Sequence, residues 1–195
     1  MVIFKEKKTV TVYHVTKLKN VPSILKEGIL ASHQKERTFE RDVLGLDLTQ
    51  EKKVYLSKSL EHLVIPPVEG KSVVLQIDLP KNVYNRFEKE NKGDPQINWF
   101  EKNKSRFGGS FGEFLKFVIQ EMMKRNPNLQ NKVNEDIKKY GSLEKTPQFK
   151  FSLTTAESMS PKYTIVTPDD IKPEWIRPEY LTERDLKYRG IIFGG

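Results

Sequence analysis

Two side chains in this 195-residue chain have the type and setting for chemistry, His14 and Tyr55. His14 lies in Val12-Tyr13-His14-Val15-Thr16, an alternating β-branched run, followed by Asn20-Val-Pro-Ser-Ile-Leu-Lys-Glu-Gly28. Tyr55 lies in a second strand-like run, Lys53-Val-Tyr55-Leu-Ser57. Imidazole exchanges hydrogen-bonding roles near neutral pH, and a tyrosine offers an apolar ring with a polar tip. Other chemistries are closed off. With no cysteine there is no disulfide, no thiolate catalysis and no Cys-ligated metal. The three histidines, His14, His33 and His62, form no His-x-His or His-x-x-x-His pair, so no histidine-based transition-metal site is expected. No EF-hand spacing is present, although an all-oxygen site stays open.

The elements that must position these residues follow from periodicity. Residues 9–15 alternate, with Val10, Val12 and His14 on one face and Thr11, Tyr13 and Val15 on the other. A helix is expected over 21–27, with Asn20 able to cap it and Gly28 able to end it. Residues 53–57 read as a strand, 60–64 as a short helix stopped by Pro66-Pro67, and 72–79 as a strand stopping at Pro80. The middle, 84–146, is polar, lysine-rich and helical. Its strongest helix is 110–124, where Ser110 and Glu113 make a capping box and Phe111, Phe114, Leu115, Val118, Ile119 and Met122 recur at helical spacing. A second helix covers 128–140, ended by Gly141. Residues 149–155 and 163–167 alternate as strands. Residues 170–181 set apolar side chains between prolines, and 190–194 read as a final edge strand. Strands, then helices, then strands imply an α+β fold.

Length and composition fit one soluble domain with a real core. No apolar run approaches membrane-spanning length, and the charged N-terminus lacks a signal-peptide core, so a cytoplasmic protein without a membrane partner is expected. The formal charge of +8 favours polyanionic partners such as nucleic acid, nucleotide or an acidic protein surface.

Tyr13-His14-Val15-Thr16 with Asn20, Pro22-Ser-Ile-Leu, Gly28 and Leu30 resembles the first strand and helix of the ADP-ribosyltransferase superfamily. Val54-Tyr55-Leu56-Ser57 resembles its second signature strand, residues 73–80 the strand after that, and residues 165–176 its closing strand and turn. The opening is most similar to DarT-type enzymes, toxins that ADP-ribosylate DNA. The resemblance covers roughly 9–80 and 149–180 and implies one domain over 1–195: a split β-sheet core with a helical insertion at about 84–146. It implies a mono-ADP-ribosyltransferase. Such an enzyme cleaves the nicotinamide–ribose bond of NAD through an oxocarbenium-like state, as glycosidases cleave sugars, and transfers ADP-ribose to nucleic acid or protein. On this resemblance His14 bonds a ribose hydroxyl, Thr16 supports its loop and Tyr55 packs on nicotinamide. Val15 and Ser57 fall in the same NAD-binding stretches. A neutralising partner is also implied.

The family's glutamate lies just before the late strand, where this chain reads Ser160-Pro161-Lys162-Tyr163. Glu157 is the nearest acid and the candidate catalytic carboxylate. The charged loop 34–41 suits a lid, with Arg37 or Arg41 on pyrophosphate. Arg106-Phe-Gly-Gly-Ser110, ahead of a helix, could hold phosphate, or be a hinge with an ordinary cap. Two other readings stay open. One is a non-catalytic module of the same fold that binds nucleic acid or a partner. The other is a relative of the RNA 2′-phosphotransferases, against which Tyr55 and the few histidines argue. Taken alone, His14 beside Val10 and Val12 would be a core histidine.

Overall fold

The computed structural model describes residues 8–33, 44, 52–63, 65 and 71–188. It is an α+β chain. β1 (Thr9–Lys17) leads through a 3-10 turn (Leu18–Asn20) into α1 (Val21–Glu27) and a two-residue strand β2 (Ser32–His33). β3 (Lys52–Ser57) and β4 (Ser72–Pro80) follow. Next come α2 (Lys81–Glu90), α3 (Pro95–Asn103), α4 (Phe111–Arg125), α5 (Pro127–Tyr140) and α6 (Pro147–Ser158). β5 (Thr164–Thr167), β6 (Ile176–Leu181) and α7 (Glu183–Tyr188) complete the described chain.

The strands are antiparallel. β4 pairs with β1 along nine residues, from Thr9↔Pro80 to Lys17↔Ser72, and carries β6 on its other edge. β3 pairs with β5 over four residues and with β2 at Lys52 and Lys53. The two groups meet at one register pair, Tyr13↔Ser57. The strands thus form one six-stranded sheet in which β1 and β3 are neighbours, and His14 directly follows the register pair that joins them.

Alternation decides the faces. Val12, Val54, Leu56, Leu75, Ile77, Leu79 and Ile165 enter one buried core, where α1 packs through Val21, Ile24 and Leu25 and α2 through Phe87. Val74, Leu181 and Leu186 face the other side with Tyr13 and Val15. On that side Arg177 grips Asp78 with two hydrogen bonds, at 2.7 and 2.9 Å, and so ties β6 to β4. A third cluster, Phe100 and Phe114 with Trp99, Phe107, Phe111 and Phe117, holds the start of the helical region together.

The helix over 21–27 has the anticipated bounds. Gly28 ends it at φ +87°, with its N–H on the Ile24 carbonyl. Asn20 does not cap it: the preceding 3-10 turn holds Asn20 in a helical conformation, and its amide donates to Thr16 Oγ1 at 3.4 Å. Ser110 caps α4 as expected, accepting from Glu113 N–H, and Gly141 ends α5. Three expectations fail. Residues 149–155 are helical, within α6, because Thr146 accepts from Phe149 N–H and Pro147 opens the first turn. Residues 60–63 form a single turn rather than the start of a helix, closed by Leu63 N–H on the Leu60 carbonyl. The helical region also begins at Lys81 and runs to Ser158, wider than 84–146. The expected strand at 190–194 lies outside the described residues, as does the loop 34–41 with Arg37 and Arg41.

Candidate functional site

His14 projects toward the core side of β1, opposite Leu75 of β4. Its Nδ1 lies 3.0 Å from the main-chain oxygen of Tyr55. A carbonyl only accepts, so Nδ1 carries the hydrogen and Nε2 is left as the acceptor. Burial lowers the His14 pKa, and the bond to the Tyr55 carbonyl offsets this in part. The imidazole is therefore neutral at physiological pH, with its tautomer set by a strand carbonyl. The side chain bridges from β1 to β3 next to the Tyr13↔Ser57 register pair. A neutral Nε2 at that point can receive a hydrogen bond from a hydroxyl group.

Tyr55 stands between Val54 and Leu56, which face the main core, so its ring projects to the opposite side from His14. Its hydroxyl donates to Asp94 Oδ2 at 3.1 Å. Asp94 in turn caps α3, its Oδ1 accepting from Gln96 N–H at 2.9 Å and Ile97 N–H at 3.3 Å. His14 and Tyr55 thus meet through the tyrosine main chain, and the two rings occupy different faces of the sheet.

Ser57 is buried between Tyr13 and Thr164, and its Oγ donates to the Ser59 carbonyl at 2.7 Å. Val15 pairs with Val74 and packs in the second cluster. Thr16 accepts from Asn20, which joins the end of β1 to the turn before α1. Glu157 is the penultimate residue of α6, and its side chain lies outside the described atoms. Its neighbour Ser158 is fixed, because Thr164 Oγ1 donates to the Ser158 carbonyl at 2.6 Å. The end of α6 is thereby fastened to the first residue of β5, directly across from Ser57.

Two groups at this end of β5 escaped the sequence reading. Asn91, just past α2, donates to the Thr164 carbonyl at 2.8 Å and accepts from Val166 N–H at 3.1 Å. A side chain thus stands where another strand would pair with β5. Lys58 donates to the Pro161 carbonyl at 2.7 Å and forms an ion pair with Glu88 of α2. The turn 160–163, which carries no acid of its own, therefore has a carboxylate close by, supplied by a different element. A lysine next to an aspartate or glutamate 30 residues away has no local pattern by which to find it. Asn91 could have been suspected only as a helix-ending residue.

Among the described residues no group of three or more histidine and acidic side chains is arranged to hold a metal ion, and no helix is long and apolar enough to cross a membrane. The chain matches no family model, no curated protein and no solved structure in the comparisons made.

Proposed function

We propose that this protein is a mono-ADP-ribosyltransferase that cleaves NAD and passes ADP-ribose to a macromolecular acceptor, DNA, RNA or protein. The observation that carries the reading is the His14–Tyr55 carbonyl hydrogen bond beside the register pair that joins β1 to β3. It fixes a neutral imidazole with an acceptor nitrogen, the state required to receive a ribose hydroxyl. The residues fit a dinucleotide in kind at His14, one hydroxyl acceptor flanked by the backbone of β1 and β3; the Tyr55 ring lies on the other face, on Asp94. NAD supplies the bond that breaks, and the protein supplies orientation and a negative charge near the ribose.

For that charge Glu157 remains the first candidate, on main-chain position alone: it directly precedes Ser158, the residue fastened to Thr164. Glu88 is the second, through its ion pair with Lys58 at the turn before β5. The test is nicotinamide release from NAD by the wild type and by His14→Ala, Glu157→Gln and Glu88→Gln. Release that requires His14 and one glutamate supports the reading and selects the acid. Release unchanged in all three variants refutes the site. A non-catalytic binding module is the second reading, favoured by the lysine at the turn where the family carries its glutamate. It predicts NAD binding or none, with no nicotinamide released by folded protein.

A further inference from the structure

A cavity of about 710 Å³ opens between the start of β3, the end of β5 and α3. None of His14, Val15, Thr16, Tyr55 or Ser57 is in its described lining, although it adjoins the site above: Gly93 and Pro95, which flank the Asp94 that accepts from Tyr55, and Val166, which Asn91 holds, line it. Its described lining includes Lys52 and Lys53 from β3, Lys92 from the turn before α3 and Lys102 from α3, against one acid, Glu90. Four cations converging on one concavity raise the local concentration of anions far more than the same charges spread over a surface. The volume falls in the range that holds a whole small molecule, roughly 300–1,000 Å³. A lone phosphate would leave most of it unused.

The wall also carries Trp99. This indole is held in place: Phe114 stacks on it with ring centres 5.6 Å apart, and Phe107 lies 6.2 Å away. The Arg106 guanidinium, 5.8 Å from the Trp99 ring centre, adds a further positive charge nearby. A fixed aromatic ring among lysines matches a ligand that has both a flat ring and phosphates. An acidic peptide would satisfy the lysines and make no use of the indole.

We propose that this cavity binds a nucleotide unit, its phosphates on the lysines and its base against Trp99. The unit is either a free nucleotide or one residue of a single strand. The proposal stands apart from the transferase reading and would survive its failure.

The chain has two tryptophans, so Trp175→Phe leaves Trp99 as the only indole. Fluorescence of this variant is titrated with ATP, short oligothymidylate, adenosine and oligoglutamate, none of which is NAD. ATP or oligothymidylate should change the Trp99 emission at low salt, and adenosine and oligoglutamate should do so far more weakly. Tighter binding of ATP identifies a free nucleotide, and tighter binding of oligothymidylate a strand; both agree with the proposal. Lys92→Gln with Lys102→Gln, folded by circular dichroism, should weaken binding on the order of tenfold and flatten its salt dependence. The proposal fails if neither phosphate ligand binds, if adenosine or oligoglutamate binds as well, or if the folded lysine variant binds unchanged. Should that variant not fold, salt-independent binding by the Trp175→Phe protein overturns it, and a steep fall with salt supports it.

Discussion

Asn91 carries more of the candidate site than its place at the end of a helix suggests, and replacing it is a direct test of how β5 is held. Its amide makes three hydrogen bonds: to the Thr164 carbonyl, from Val166 N–H, and from Gly93 N–H at 3.0 Å. Thr164 and Val166 are buried, so leucine would leave a carbonyl and an amide unpaired at a sheet edge that water reaches poorly. At about 1 kcal/mol net per hydrogen bond, Asn91→Leu should cost about 2–3 kcal/mol. For a chain of this size that is a fall in Tm of roughly 4–12 °C. Asn91→Asp separates the roles. It keeps an acceptor for Val166 and Gly93, loses the donor to Thr164 and sets an anionic oxygen against that carbonyl. Its cost should be about 1–2 kcal/mol. Urea unfolding measures both, and amide exchange reports the edge itself: Val166 N–H should lose protection in Asn91→Leu and keep it in Asn91→Asp. A loss below about 0.5 kcal/mol in Asn91→Leu, with Val166 exchange unchanged, would show that the edge is held by something else and refute the reasoning.

Three further outcomes follow from the same geometry. Tyr55→Phe removes the bond to Asp94 and should cost about 1 kcal/mol in the wild type but little in an Asp94→Ala background, a coupling that a double-mutant cycle in urea measures. Gly28→Ala would place a Cβ 2.1 Å from the Ile171 main-chain oxygen at φ +87°, disturbing the Ile29–Ile171 bridge; chemical denaturation should register a loss of at least about 2 kcal/mol. His14 has a folded-state pKa below its unfolded value, so the unfolded chain binds the extra proton. Its contribution is complete above the unfolded pKa and is lost as pH falls below it, by at most about 1.4 kcal/mol per pH unit. The stability difference between wild type and His14→Gln should therefore narrow on acidification from neutral pH, and a difference independent of pH would contradict the neutral imidazole.

Much of the framework is legible locally. Residues 72–79 alternate or run apolar because β4 is covered on both sides, and Gly28, Ser110 and Gly141 mark helix ends through backbone needs that each residue states for itself. Phe149, Phe151 and Leu153 also alternate, yet they lie in a helix. The cap Thr146 and the following Pro147 outweigh a pattern only three residues deep, and they were the signal to read. β6 is hard to see because Pro178 and charged residues interrupt it, which an edge strand tolerates.

For the site, the face of His14 follows from alternation alone, whereas its partner does not. The Tyr13↔Ser57 register joins residues 44 positions apart, and a two-residue slip would keep every side chain on the same face. That the imidazole bonds the tyrosine main chain, while the tyrosine ring turns toward Asp94, depends on that register. The lysine cavity likewise gathers residues from four elements, β3, α2, α3 and β5.

Transfer itself is the most direct measurement. NAD labelled in its adenylate is incubated with the folded protein and, separately, with DNA, RNA and cell lysate, using wild type and His14→Ala side by side. The account predicts label joined covalently to one class of macromolecule by the wild type and none by His14→Ala. Label left entirely in NAD by folded wild type with every acceptor, or transferred equally well by His14→Ala, would contradict it.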